Sequence, residues 1–267
     1  MLSLGWFSTG RGPGSRGLLT FVQERILRGD IDARIQFVFS NREQDEAEGS
    51  DTFFELVRSY GIPLVTLSSR TFRRSVDGDF AGHREEYDRQ VMARLAGHCP
   101  DLCVLAGYML YTGAELCARY SMINLHPALP DGPIGTWQEV IWQLIDQKAD
   151  RTGAMMHLAT ADWDRGPVIS YFSIPIRGGG LDPLWREVQG KSMAQLQAEQ
   201  GEDLSLFKTI RAEGYKREPY LISETIKAIA RGDVRIEGRE VRDAQGGCIR
   251  GYDLTSHIEA SLKTDQE

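Results

Sequence analysis

The sequence predicts an α/β protein built on a doubly wound, mostly parallel sheet, with a helix and a β-hairpin appended at the C-terminal side. Three observations carry that expectation. Over the first 125 residues, short runs rich in β-formers alternate with helical patterns, the rhythm of βαβ units. Past residue 125 the rhythm changes and longer amphipathic patterns take over. The chain has 267 residues, 41% of them hydrophobic and 26% charged, enough to bury a sizeable core.

Taken in order, the strand candidates of the first half are Leu2–Ser8, Arg34–Ser40, Pro63–Leu67, Asp101–Ala106 and Met122–Leu125. Helix candidates lie between them near Gly17–Leu27, Asp51–Tyr60, Arg84–Leu95 and Gly113–Arg119. In Arg84–Leu95 the apolar residues Tyr87, Val91, Met92 and Leu95 fall at helical spacing, with charges on the opposite face. Thr136-Trp137-Gln138-Glu139 has the form of a capping box, opening a helix with Val140, Ile141, Leu144 and Ile145 on one face. Strands follow near Gly153–Thr160 and Pro167–Ile176. Three glycines and a polar, Gln- and Glu-rich stretch then predict a mobile insertion over residues 177–202, with room for one short helix. Pro219 suits a helix start, followed by Leu221, Ile222, Thr225, Ile226 and Ile229 on one face. A hairpin around Gly238 and a surface helix or frayed tail complete the chain. The expected organisation is a core over residues 1–176, the insertion over 177–202 and a C-terminal extension over 203–267.

Composition narrows the function classes. No apolar run approaches the roughly 18–20 residues of a membrane helix, so no membrane partner is expected. The opening residues Met1–Ser8 lack a basic leader and suit a first strand rather than a signal peptide. A formal charge of −7 argues against nucleic acid as the main partner. Cys99, Cys103, Cys117 and Cys248 show neither a C-x-x-C pair nor a metal-ligand rhythm. Reduced thiols, a cytoplasmic setting and no metal are expected.

Between the first strand and the first helix lies Gly10-Arg11-Gly12-Pro13-Gly14-Ser15-Arg16-Gly17. Glycines permit a tight turn, and the free N–H groups of a helix start attract an anion. Gly12-x-Gly14-x-x-Gly17 also fits the dinucleotide fingerprint literally. That reading needs an acid at the end of the second strand, where Phe39-Ser40-Asn41-Arg42 has none. An NADP-dependent reductase, with Arg42 meeting a 2′-phosphate, is the alternative class.

In Ile123-Asn124-Leu125-His126-Pro127, strand alternation places Asn124 and His126 on one face, near the strand end where open α/β sheets hold ligands. Asp162-Trp163-Asp164-Arg165-Gly166-Pro167 forms a turn between two apolar strands, and two acids flanking a tryptophan suit the lip of a pocket. His157, just before it, has the pattern of a core histidine in a strand.

At these residues the sequence resembles the folate-dependent formyltransferases. Asn124-Leu125-His126-Pro127 and Asp164-Arg165-Gly166-Pro167 occupy the places of that family's Asn-x-His-Pro and Asp-x-Gly-Pro motifs. Val38–Asn41, Tyr60–Pro63, Arg84–Arg89, Val104–Met109 and Gly153–His157 match in register. The resemblance implies a Rossmann-like formyltransferase core and transfer of a formyl group from 10-formyltetrahydrofolate to an amine. It implies that Gly14, Ser15, Arg16 and Gly17, with Arg84, bind a substrate phosphate. Tyr108, Met109, Leu110 and Tyr111, with Ala161, Asp162 and Trp163, would line the folate pocket. Asn124, His126 and Asp164 would carry the chemistry: two donors for a developing oxyanion, and a carboxylate that favours the imidazolium and relays protons. The acceptor implied first is glycinamide ribonucleotide, of purine biosynthesis, and second another phosphorylated amine or an amino-sugar nucleotide. Monomer and homodimer are both open. The phosphate turn is longer than the family's usual Gly-x-Gly-Ser-Asn, and which acid of Glu213–Pro219 stands for its C-terminal substrate-binding glutamate is left open.

Overall fold

The computed structural model describes residues 1–162 and 164–266, which fall into two compact units. The first comprises Met1–Leu125, His157–Pro167 and Ile226–Asp233. Its strands β1 (Leu2–Phe7), β2 (Ala33–Ser40), β3 (Leu64–Thr66), β4 (Leu102–Leu105) and β5 (Met122–His126) pair in parallel, β3 on β2, β2 on β1, β1 on β4 and β4 on β5. Between them run α1 (Pro13–Leu27), α2 (Glu48–Ser59), α3 (Ser69–Ser75), α4 (Arg84–Arg94) and α5 (Ala114–Arg119). Only α3 had no counterpart in the sequence reading.

Strand alternation sorts the core of this unit. Phe7, Phe37 and Phe39 join Tyr87 and Val91 of α4, Leu95 just beyond it, and Met122 in one buried cluster. The Phe7 and Phe37 rings meet edge to face, with centroids 5.9 Å apart. Truncating one such ring to alanine costs about 3–5 kcal/mol, because the cavity left behind collapses only partly.

The second unit comprises His126–Met156, Val168–Thr225 and Val234–Glu267. It contains α6 (Trp137–Asp146), β6 (Arg151–Leu158), β7 (Val168–Pro175), α7 (Asp182–Glu187), α8 (Met193–Glu199) and α9 (Ser205–Arg231). The hairpin strands β8 (Val234–Glu237) and β9 (Glu240–Asp243), then β10 (Tyr252–Asp253) and α10 (Thr255–Thr264), complete it. The capping box is present: Thr136 accepts from the Glu139 N–H and Glu139 accepts from the Thr136 N–H. β10 pairs with β7 in parallel. Strand β6 and helix α9 run on into the first unit, and the eight strands follow the order β10-β7-β6-β5-β4-β1-β2-β3. No described helix is long and apolar enough to cross a membrane.

Residues 177–202, expected as a mobile insertion, contain α7 and α8; Trp185 and Leu196 of these helices, and Val188 just beyond α7, are buried with Val140, Ile141 and Phe207. Gly178, Gly179 and Gly180 all take positive φ, so the glycine run is the sharp turn into α7. One expectation needs correction here. Pro219 does not start a helix; it lies inside the 27-residue α9. Buried Leu206, Phe207 and Ile210 before it, and Leu221, Ile222 and Ile226 after it, carry the helix through.

Candidate functional site

The glycine turn is shorter than the sequence suggested, because α1 begins at Pro13 rather than Gly17. Gly12 is its N-cap with no side-chain cap, Pro13 stands in the first turn, and no acid lies there. Gly14, Ser15, Arg16 and Gly17 therefore form the helix start; the Arg16 N–H donates to the Gly12 carbonyl at 3.5 Å, and the Gly14 and Ser15 amides before it lack intrahelical partners, the usual chemistry of an anion site. Gly107 must be glycine: φ is +71°, and a Cβ there would lie 2.7 Å from the Ser15 hydroxyl.

Arg84 is placed differently from the expectation. It is buried, and its guanidinium grips Asp88, with Nε to Oδ2 at 3.1 Å and Nη2 to Oδ1 at 2.5 Å. Only 7% of the side chain is exposed, and its remaining nitrogen, Nη1, is buried without a hydrogen-bond partner. Burial alone would lower its pKa, but the Asp88 hydrogen bond and the charges around it leave it raised. Asp88 is fully buried; burial lifts its pKa and Arg84 partly offsets that.

The expected folate-lining residues divide. Tyr108 is buried, its ring edge-on to Phe7 and Phe39 at 5.7 and 6.2 Å. Met109 and Tyr111 stand out at 61% and 37% exposure, with Leu110 half-buried between them. In the other loop Ala161 is half-buried and Asp162 exposed; Trp163 lies outside the described residues.

The first unit brings three polar groups together. Asn124 Nδ2 donates to Asp164 Oδ1 at 3.3 Å and lies 3.1 Å from His157 Nε2. His157 Nε2 and Asp164 Oδ1 are 3.3 Å apart, with 2% and 6% of their side chains exposed. His157 Nδ1 is 3.1 Å from the Leu158 carbonyl, which can only accept, so Nδ1 carries a proton. In the neutral ring Nε2 is then an acceptor, and the two Asn124 amide hydrogens serve His157 and Asp164. His157, read from sequence as a core residue, is thus part of the constellation. The signal for it was its position one residue before the strand end that faces Asn124.

Backbone chemistry fixes Asp164. It takes φ of 52°, a left-handed conformation that Asp tolerates better than most residues. A Cβ at Gly166 would overlap the Leu158 carbonyl, so only glycine lets the turn pass. The Leu158 N–H then donates to the Pro167 carbonyl at 2.9 Å, closing the hairpin.

In the second unit, His126 is buried and its Nε2 donates to the Pro133 carbonyl at 3.0 Å. The same unit has a small open cleft lined by Pro127, Trp137, Thr152, Arg211 and Glu218 among others. Arg211 Nη1 meets Glu218 Oε1 at 2.5 Å, and its guanidinium lies 4.7 Å from the ring centres of both Trp137 and Tyr215. Sequence reasoning missed Arg211 and Glu218, because breaking α9 at Pro219 hid their shared helix. Among the described residues no group of three or more His, Cys, Asp or Glu could hold a metal ion.

Comparison with known proteins gives consistent relatives. The sequence profile described as formyl transferase matches residues 15–180. Phosphoribosylglycinamide formyltransferase of Escherichia coli K12 is 27% identical over 192 residues, 70% of this chain and 79% of that protein. Formyltetrahydrofolate deformylase of Haemophilus influenzae is 27% identical over 143 residues, 53% of this chain and 44% of its own length. Among solved structures, glycinamide ribonucleotide transformylase 1 of Symbiobacterium toebii superposes with a TM-score of 0.64 at 24% identity, covering 91% of this chain and 94% of that one.

Proposed function

Since the chain belongs to the formyl transferase family, we propose that it moves a formyl group from 10-formyltetrahydrofolate to the amine of glycinamide ribonucleotide. The observation that carries this is the Asn124, His157 and Asp164 constellation beside the Asn-x-His-Pro strand end. Support for the acceptor comes from the E. coli relative and from a helix start suited to a phosphate.

The roles follow from the chemistry. A neutral amine attacks the formyl carbon, and negative charge develops on the formyl oxygen. The Asn124 amide, held in orientation by Asp164 and His157, is one donor to that oxyanion. His126 is the other: Pro133 holds its Nε2 proton, and a second proton on the ring makes the imidazole cationic. Asp164 accepts the proton that the amine sheds and passes it, through water, towards the leaving folate nitrogen. Gly14, Ser15, Arg16 and Gly17 hold the acceptor's phosphate. Glu218, paired with Arg211, is the candidate for the family's substrate-binding glutamate. Monomer and homodimer both accommodate this reading.

The test is formyl transfer from 10-formyltetrahydrofolate to glycinamide ribonucleotide, followed by absorbance of the folate product. Turnover that Asp164→Asn abolishes is expected. Turnover only with another phosphorylated amine or an amino-sugar nucleotide would replace the acceptor. Folate product formed without any amine would assign water as the acceptor, as the name of the deformylase relative describes for that protein.

A further inference from the structure

We infer that Glu85 and Asp88 of α4 are positioning residues for the folate loop, and that Arg84 acts through Asp88 rather than on the acceptor's phosphate. The inference rests on the reading above that residues 108–111 meet folate.

The loop from Gly107 to Gly113 is pinned at both ends by residues distant in sequence. At its start the Thr9 N–H donates to the Gly107 carbonyl at 3.0 Å, and the Met109 N–H donates to Thr9 Oγ1 at 2.8 Å. At its end the Gly113 N–H donates to Asp88 Oδ2 at 2.6 Å. The next two amides, of Ala114 and Glu115, donate to the Glu85 carboxylate at 2.8 and 3.3 Å. A helix start is ordinarily capped by its own N-cap side chain. The N-cap of α5 is Gly113, which has none, and two carboxylates of α4 do that work. The approach is close enough that a Cβ on Gly113 would lie 2.7 Å from both carboxylates.

Core packing does not explain this precision. Met109 and Tyr111 are among the exposed large hydrophobic residues of the chain. An irregular segment that is anchored at each end, seats Tyr108 in the core and holds Met109 and Tyr111 outward is built to present those two side chains to a ligand. Arg84 is the third part of the clamp. It holds both oxygens of Asp88, which keeps the buried carboxylate aimed at Gly113.

The experiment measures tetrahydrofolate binding by quenching of tryptophan fluorescence, alongside the KM of each substrate. Glu85→Leu and Gly113→Ala should each weaken folate binding about tenfold, the worth of one charge-assisted hydrogen bond, while the acceptor KM stays put. Glu85→Gln keeps an acceptor oxygen and should restore most of the affinity. Arg84→Lys should move the folate KM and not the acceptor KM. Folate affinity equal to wild type in Glu85→Leu and Gly113→Ala overturns the inference while leaving the proposed function intact. So does an Arg84→Lys effect confined to the acceptor KM. Wild-type protein that binds no tetrahydrofolate overturns both. Glu85 is only half-buried, so its variants should fold even where Gly113→Ala does not.

Discussion

Asn124 has two amide hydrogens and two neighbours for them, which makes its orientation a property of the site. Asn124→Ala removes a donor and releases the Asp164 and His157 pair at once. Turnover should fall by about 10²–10³ with the fold retained, as for loss of one oxyanion donor. His126→Ala should cost as much; near-normal turnover in either variant, measured with saturating substrates, would remove the mechanism. The free thiols give a second residue-scale expectation. Cys99 and Cys248 are exposed, whereas burial pushes the Cys103 thiol up to about 12. Mass spectrometry after brief alkylation of native protein should find the first two modified and Cys103 intact; early modification of Cys103 would contradict its burial in the sheet.

At the scale of elements, caps and glycines decide more than helix propensity does. Thr136→Ala removes the two hydrogen bonds of the hydroxyl, accepted from the Glu139 N–H and donated to the Glu139 carboxylate, and should lower the unfolding free energy by about 1 kcal/mol, read from urea denaturation. Much of the fold was legible at this scale. Hydrophobic alternation placed β1, β2, β4 and β5 within a residue or two, and the capping box placed the start of α6. Asn124, His126 and Asp164 were marked by their strand-end and turn patterns. What stayed hidden depended on tertiary contact. Pro219 is compatible with a helix start or a helix interior, and only the buried residues on both sides decide between them. The run Gly178–Gly180 carries no hydrophobic signal, so the burial of Trp185 and Leu196 had to be seen. The Arg84 guanidinium looks the same in sequence whether it faces a phosphate or Asp88.

At the scale of the whole molecule, the first unit is not one stretch of chain. It draws on Met1–Leu125, His157–Pro167 and Ile226–Asp233. Within it Ala159 N–H donates to the Met122 carbonyl at 2.8 Å, so the segment bearing His157 and Asp164 lies along β5. On a translating ribosome, Asn124 emerges well ahead of Asp164, and the closing segment follows later still. At about 5–20 residues per second, the interval from residue 125 to residue 159 is roughly two to seven seconds. Through that time β5 has an unpaired edge, open to any other nascent strand. Asn124 and Asp164, the proposed catalytic groups, therefore meet only after this interval, and slowing translation across it would lengthen the period in which the chain is open to misassembly.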